Sequence, residues 1–227
     1  DTTAPAAFSV GSVITSGGTV VATKLNGTNT TVTVTVPIAN DATLNGGTVQ
    51  LQAKVGDGAY INLGGTSAIS AVNTDKAIAY AESDLDGIAG FAEGVVLTFN
   101  AIITDTAGTS TTGTASTTTL TVDQVAPTVT EQAVVSTPSN DTTPQATIGS
   151  NEAGTITSSL TLTGDTAAEL SDTNVVSFAA LGAASYTPTV TVTDAAGNAS
   201  NTLTLTTFVI DTTAPAAFSV GSVITSG

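Results

Sequence analysis

Residues 31–38 read TVTVTVPI, a strict alternation of Thr with branched apolar side chains. A period of two is the spacing of side chains on one face of a β-strand, whereas a helix would wind the same valines around its whole surface. The pattern recurs at GTVQLQAKV (47–55), VVLTFNAIITD (95–105), TTTLTVD (117–123), TPQATIGS (143–150), TITSSLTLTG (155–164), NVVSFAALG (174–182), TPTVTVTD (187–194) and NTLTLTTFVID (201–211). Roughly a fifth of the chain is Thr, and side chains branched at Cβ favour the extended backbone. Gly, Asn and Asp clusters separate the runs, as turns require. Only DKAIAYAESDLDGIAGFAEG (75–94) dilutes the alternation, and it is expected to be an insertion or a short helical crossover. An all-β chain follows, with a core of Val, Ile, Leu and Ala, because aromatic residues are only 4% of the total.

The side-chain inventory excludes several functions. Eighteen acidic residues face three basic ones, Lys24, Lys54 and Lys76, for a net charge of -15. Nucleic acid and anionic membrane surfaces both require cationic side chains and are excluded as partners. No stretch approaches the 18 apolar residues of a membrane-spanning helix, so no membrane insertion is expected. There is no basic, then apolar, leader, and the segment reads as internal to an exported protein whose export signals lie elsewhere. His, Cys and Met are absent, which removes disulfides, the usual zinc, copper and haem ligands, and any Ser–His or Cys–His nucleophile. A carboxylate pair for glycoside hydrolysis would need a sugar-sized cleft and aromatic platforms. With six Phe and three Tyr in the chain, the expectation is no enzymatic activity. Any metal must be held by oxygen, and an acidic surface attracts divalent cations.

Two repeats organise the chain. DTTAPAAFSVGSVITSG occupies 1–17 and returns unchanged at 211–227, an offset of 211 − 1 = 210 residues. A weaker one relates TDTAGTSTTGTASTTTLTVDQVAP (104–127) to TDAAGNASNTLTLTTFVIDTTAP (193–215). Taking Asp1, Asp123 and Asp211 as equivalent junctions gives a first domain at 1–122, with the insertion at about 75–94, and a second at 123–210. Residues 211–227 are then the first strand of the next copy in a longer array. Roughly seven short strands per 90–120 residues describe two tandem Ig-like β-sandwiches. Tyr186 opens the penultimate strand of the second, where a tyrosine corner would stand.

SNDTTPQATIGSNEAGTI (139–156), SYTPTVTVTDAAGNAS (185–200) and the junctions IDTTAP and VDQVAP resemble the tandem bacterial Ig-like domains of giant extracellular surface adhesins and related fibre proteins. The resemblance covers nearly all of the second domain and the ends of the first. It implies an exported, repetitive stalk, commonly rigidified by calcium at domain junctions. In a seven-strand sandwich the B–C and F–G loops return to the pole at which the chain enters, where the junction carboxylate meets them. That placement gathers Asp123, Glu152, Asp194 and Asn198 for the second domain and Asp1, Asp41 and Asp105 for the first, while Asp211 takes the part of Asp1 for the following copy. Calcium accepts six to eight oxygens, and three carboxylates with carbonyls and water would fill such a shell. The alternative is that each Asp caps its own turn. Asp84, Asp86 and Glu93 lack the spacing of a twelve-residue calcium loop and read as solvated surface.

Pro5, Pro127 and Pro215 fix φ at the junctions and bias the preceding Ala toward extended geometry. The expected product is a semi-rigid spacer whose partners are neighbouring repeats of the same chain or head-to-tail copies in a filament. Residues 212–227 hold a strand without its sheet, with Phe218, Val220 and Val223 seeking a core. The alternative function is an adhesive module for an unknown surface ligand or carbohydrate, with Tyr60 and Tyr80 as its patch. Asn26, Asn29, Asn140 and Asn198 each begin an Asn-x-Ser/Thr triplet, a possible glycan acceptor.

Overall fold

Valine and leucine on alternate positions of one strand can leave water together by facing a second sheet, and both halves of the chain are built that way. The structure is a computed structural model and describes residues 2–219 and 221. It divides into two compact units, Asp1–Ala126 with Asp194–Ala199, and Pro127–Thr193 with Ser200–Gly227.

Among its described residues the first unit holds ten strands: β1 (Val13–Ser16), β2 (Lys24–Asn26), β3 (Thr31–Ile38), β4 (Thr48–Val55), β5 (Ile61–Asn62), β6 (Ser67–Ala68), β7 (Thr74–Ala81), β8 (Val96–Thr104), β9 (Ser110–Thr112) and β10 (Leu120–Asp123). One sheet runs β1-β3-β7; the other runs β2-β10-β8-β4-β5, with β6 on β4 and β9 on β8. Pairing is antiparallel throughout except for β2 beside β10, which is parallel. Along β3 the buried positions are Val32, Val34, Val36 and Ile38, and along β4 they are Val49, Leu51 and Ala53. Leu97, Phe99, Ala101 and Ile103 of β8 complete the layer, with Phe99 fully buried.

The second unit holds β11 (Val129–Ala133), β12 (Gln145–Ser150), β13 (Gly154–Ser158), β14 (Ala167–Ala168), β15 (Ser171–Ser177), β16 (Ala184–Tyr186), β17 (Thr189–Thr193), β18 (Leu203–Thr204) and β19 (Phe208–Ile210). They form sheets β11-β12-β15, β14-β13-β17-β18 and β16-β19. Ile148, Ile156, Val176, Phe178, Val190, Val192, Phe208 and Ile210 fill the core. The Tyr186 hydroxyl donates to the Gly182 carbonyl at 3.0 Å, four residues upstream, and its ring stacks on Phe208 with centroids 5.7 Å apart. This is the hydrogen bond of a tyrosine corner. Among the described residues of both units, no buried side-chain nitrogen or oxygen lacks a partner.

The all-β sandwich expected from the alternation is what forms. The insertion or helical crossover expected at 75–94 is not: Thr74–Ala81 is a full strand paired to β3 along its whole length, followed by a single 3-10 turn at Glu82–Asp84. Alternation was present there but masked by alanine. Lys76, Ile78 and Tyr80 turn inward, while Ala77, Ala79 and Ala81 occupy the exposed face that Thr fills elsewhere. The remainder of the stretch caps the core with Leu85 and Ile88. Several alternating runs are strand over only part of their length: TITSSLTLTG is strand only as far as Ser158, NVVSFAALG only as far as Ser177, TTTLTVD only from Leu120, and NTLTLTTFVID breaks into β18 and β19.

Candidate functional site

The turn Asp194–Ala199 follows β17 and is closed by its own first residue. Asp194 Oδ1 accepts the amides of Ala196 at 2.8 Å and Asn198 at 2.9 Å, and the Asp194 amide donates to the Asn198 carbonyl at 3.0 Å. Gly197, at φ +93°, makes the left-handed step that this closure needs. The turn belongs to the first unit, and Asn198 ties it to Asp123 at the end of β10. Its Nδ2 donates to the Asp123 carbonyl and to Asp194 Oδ2, both at 2.8 Å, and lies 3.4 Å from Asp123 Oδ1. Asn198 Oδ1 accepts the Gly27 amide at 2.9 Å.

Burial first, then the Asp194 carboxylate, push the Asp123 carboxyl above its ordinary range; Lys24 acts against them and Glu93 with them. A raised carboxyl beside a second carboxylate is an environment that a cation would relieve. The donor set of Asp123 and Asp194 suits a hard, oxygen-binding ion. Asn198 faces the two carboxylates with its N–H groups, so its oxygen could join an ion only if the amide turned and gave up Gly27.

Sequence reasoning missed the residues that hold this turn. Asn26 is fully buried; its Nδ2 donates to the carbonyls of Ala196 at 2.6 Å and Thr19 at 2.8 Å, and its Oδ1 accepts the Thr28 amide and hydroxyl. Asn29 locks the same loop, accepting the Asn26 amide and donating to the Gly17 and Thr19 carbonyls. A Cβ on Gly27 would stand 2.8 Å from the Gln124 carbonyl oxygen. The signal in the sequence is the Asn26-Gly27 pair, a turn dipeptide that also opens a glycan triplet. With Asn26, Asn29 and Asn198 buried, Asn140 is the exposed member of those four triplets.

The remaining described candidates sit on turns of their own. Asp41 caps the 3-10 turn Ala42–Leu44, accepting the Thr43 amide at 2.9 Å and hydroxyl at 2.7 Å. Asp105 closes its own turn: Oδ1 accepts the amides of Ala107 and Thr109, and Oδ2 accepts the Thr109 hydroxyl. Those bonds, the Thr109 hydroxyl first, hold its carboxyl below the ordinary value. Asp211 accepts the Thr213 amide at 2.8 Å. Glu152 lies on the turn between β12 and β13 of the second unit, its carbonyl accepting the Ser150 hydroxyl. Asp1 lies outside the described residues, as do Val220 and Val223. Glu93 is exposed, as a solvated surface residue should be, and both its carboxylate oxygens accept the Gln124 backbone amide at 3.0 Å. Tyr80 packs over Gly64 at the core's edge, and Tyr60 lies under the Lys54 ammonium, 5.4 Å from the ring centroid.

A second constellation is the seat of residues 2–11. Phe8 lies on Gly113, where a Cβ would come within 2.4 Å of its ring. Pro5 and Val10 are buried. The Thr114 amide donates to the Phe8 carbonyl at 2.8 Å, and the Val10 amide returns to the Thr114 carbonyl at 2.9 Å.

No family model and no curated protein matches the chain. Among solved structures it is similar to the fibronectin(III)-like modules of Clostridium thermocellum CbhA, at 11% identity over 91% of this chain and 90% of that one, with a TM-score of 0.41. It is similar also to the chicken CNTN1 FN1–FN3 domains, at 12% identity over 88% of this chain and 65% of that one, TM-score 0.29. A third is a 1.5-MDa bacterial ice-binding adhesin, at 20% identity over 80% of this chain and 58% of that one, TM-score 0.36. Among the described residues no helix is long and apolar enough to cross a membrane.

Proposed function

We propose that the chain is a non-catalytic structural repeat of an extracellular bacterial surface stalk or filament, and that its activity is reach and stiffness. The observation that carries this reading is the 210-residue recurrence of DTTAPAAFSVGSVITSG, whose first copy is built into the first sandwich as working structure. A segment that one module needs, repeated directly after the second module, is what a series of such modules requires. Buried Asn side chains and carboxylates closing their own turns supply local rigidity without catalytic chemistry.

Calcium belongs to the same proposal, with Asp123 and Asp194 as its carboxylate ligands on the first unit. The raised Asp123 carboxyl beside Asp194 supports it. A bound cation would bring that carboxyl down and stabilise the folded state by mass action. Thermal unfolding in about 1 mM calcium and in excess chelator tests the ion. The midpoint should rise with calcium and lose that rise in Asp194→Asn; identical midpoints would remove calcium from the account. Small-angle scattering of a chain carrying two 210-residue periods tests the spacer, which requires an extended, stiff particle rather than a collapsed one.

A further inference from the structure

We propose that residues 212–219 are a donor segment for a second copy of this chain, and that they bind there in the seat that residues 2–9 fill on the first unit. This rests on the module reading above and names the surface through which copies meet. The seat is specific. Thr109 Oγ1 donates to the Thr3 carbonyl at 3.1 Å and Thr111 Oγ1 to the Pro5 carbonyl at 2.5 Å. Thr114 exchanges main-chain hydrogen bonds with Phe8 and Val10, and Ser116 Oγ donates to the Gly11 carbonyl at 2.6 Å. Thr109, Thr111 and Thr114 thus read the successive carbonyls of Thr3, Pro5 and Phe8, all within the repeated eight residues. Side-chain recognition falls to Pro5, which is buried, and to Phe8 on the flat spot left by Gly113.

Residues 212–219 repeat 2–9 letter for letter, so they carry the same carbonyls, proline and phenylalanine. They are exposed from Thr212 through Ser219, none lies in a strand, and Phe218 is 87% exposed. Pro215 is exposed where Pro5 is buried. A guest sequence with a known seat is therefore on offer at the surface, and that seat exists on each further copy. Main-chain pairing gives such strand addition its affinity and side-chain pockets give it register. The resident segment is tethered at an effective concentration of order 1 mM, so a guest displaces it only at high protein concentration or when the resident is weakened.

The 227-residue chain, followed by sedimentation velocity from about 1 μM to about 1 mM, provides the test. Phe8→Ala weakens the resident and should strengthen association by about tenfold or more, the equivalent of one poorly replaced apolar side chain. Adding Phe218→Ala, or Gly113→Ala to close the seat, should abolish that gain. A Phe8→Ala chain that stays monomeric, or that associates equally without Phe218, overturns the proposal. Should Phe8→Ala fail to fold, isotope-labelled wild-type chain with excess synthetic DTTAPAAFSVG answers the same question. Shifts confined to Thr109–Ser116 and lost with the Phe-to-Ala peptide support the seat, and none at about 1 mM peptide refutes it. Neither readout involves calcium or particle shape, so the spacer reading stands or falls separately.

Discussion

Residues 2–9 and 212–219 are the same eight amino acids in two conditions. In the first, Pro5 is buried, Phe8 is half-buried on Gly113, and the chain continues through buried Val10 into β1. In the second, every residue is exposed and none is in a strand. Local propensity is identical by construction, so the whole difference comes from the partner: hydroxyls at 109 and 111, the main chain of Thr114 and a missing Cβ at 113. A strand is stabilised by what it pairs with and packs on, and its intrinsic preference is secondary.

That comparison can be broken in order of expected size. Deleting residues 2–10 should destabilise the first unit by about 3–5 kcal/mol, through lost burial of Pro5 and Val10 and the unpaired Thr114 amide. Deleting 212–219 should change chemical denaturation by no more than about 0.5 kcal/mol. Gly113→Ala should cost about 1–3 kcal/mol, since its new methyl meets an aromatic ring backed by protein. Phe8→Ala should cost about 1–2 kcal/mol, while Phe218→Ala at the matching letter should cost nothing measurable. Equal effects at the two phenylalanines would mean that the seat contributes no stability.

The smallest effect separates the two kinds of acidic turn. The folded Asp123 carboxyl titrates above its unfolded value, so the folded state holds the extra proton between those two pH values. Its contribution to stability therefore falls as pH rises through that window, and Asp123→Asn should flatten the fall. Asp105 titrates below its ordinary value, so its contribution is present above that value and is lost as pH drops through the lower folded one. Urea unfolding across acidic pH reads both slopes. In calcium, the Asp123 slope should vanish.

Much of the architecture was legible because Thr–Val alternation maps directly onto the two faces of a sheet. TVTVTVPI became β3 residue for residue. β7 was hidden because alanine, apolar in any index, stood on the solvent side of Asp75–Ala81. β2 and β11 escape the pattern since their pairing is set by distant strands rather than by their own sequence. At the candidate site, Asp194 and Asp123 could be read from the TDAAGN and VDQ turns. The roles of Asn26, Gly27 and Asn198 could not, because they rest on loop-to-loop contacts spanning about 170 residues of sequence. Asp41 and Asp105 illustrate the same limit, since an Asx cap and a metal ligand share one sequence signature.

Amide hydrogen exchange by NMR probes the central claim, that one sequence becomes structure only where its seat is provided. The amides of Val10 and Thr114, which bond across the seat, should exchange at least about a hundredfold more slowly than those of Ala217 and Phe218. Comparable rates at the two sites would contradict the account.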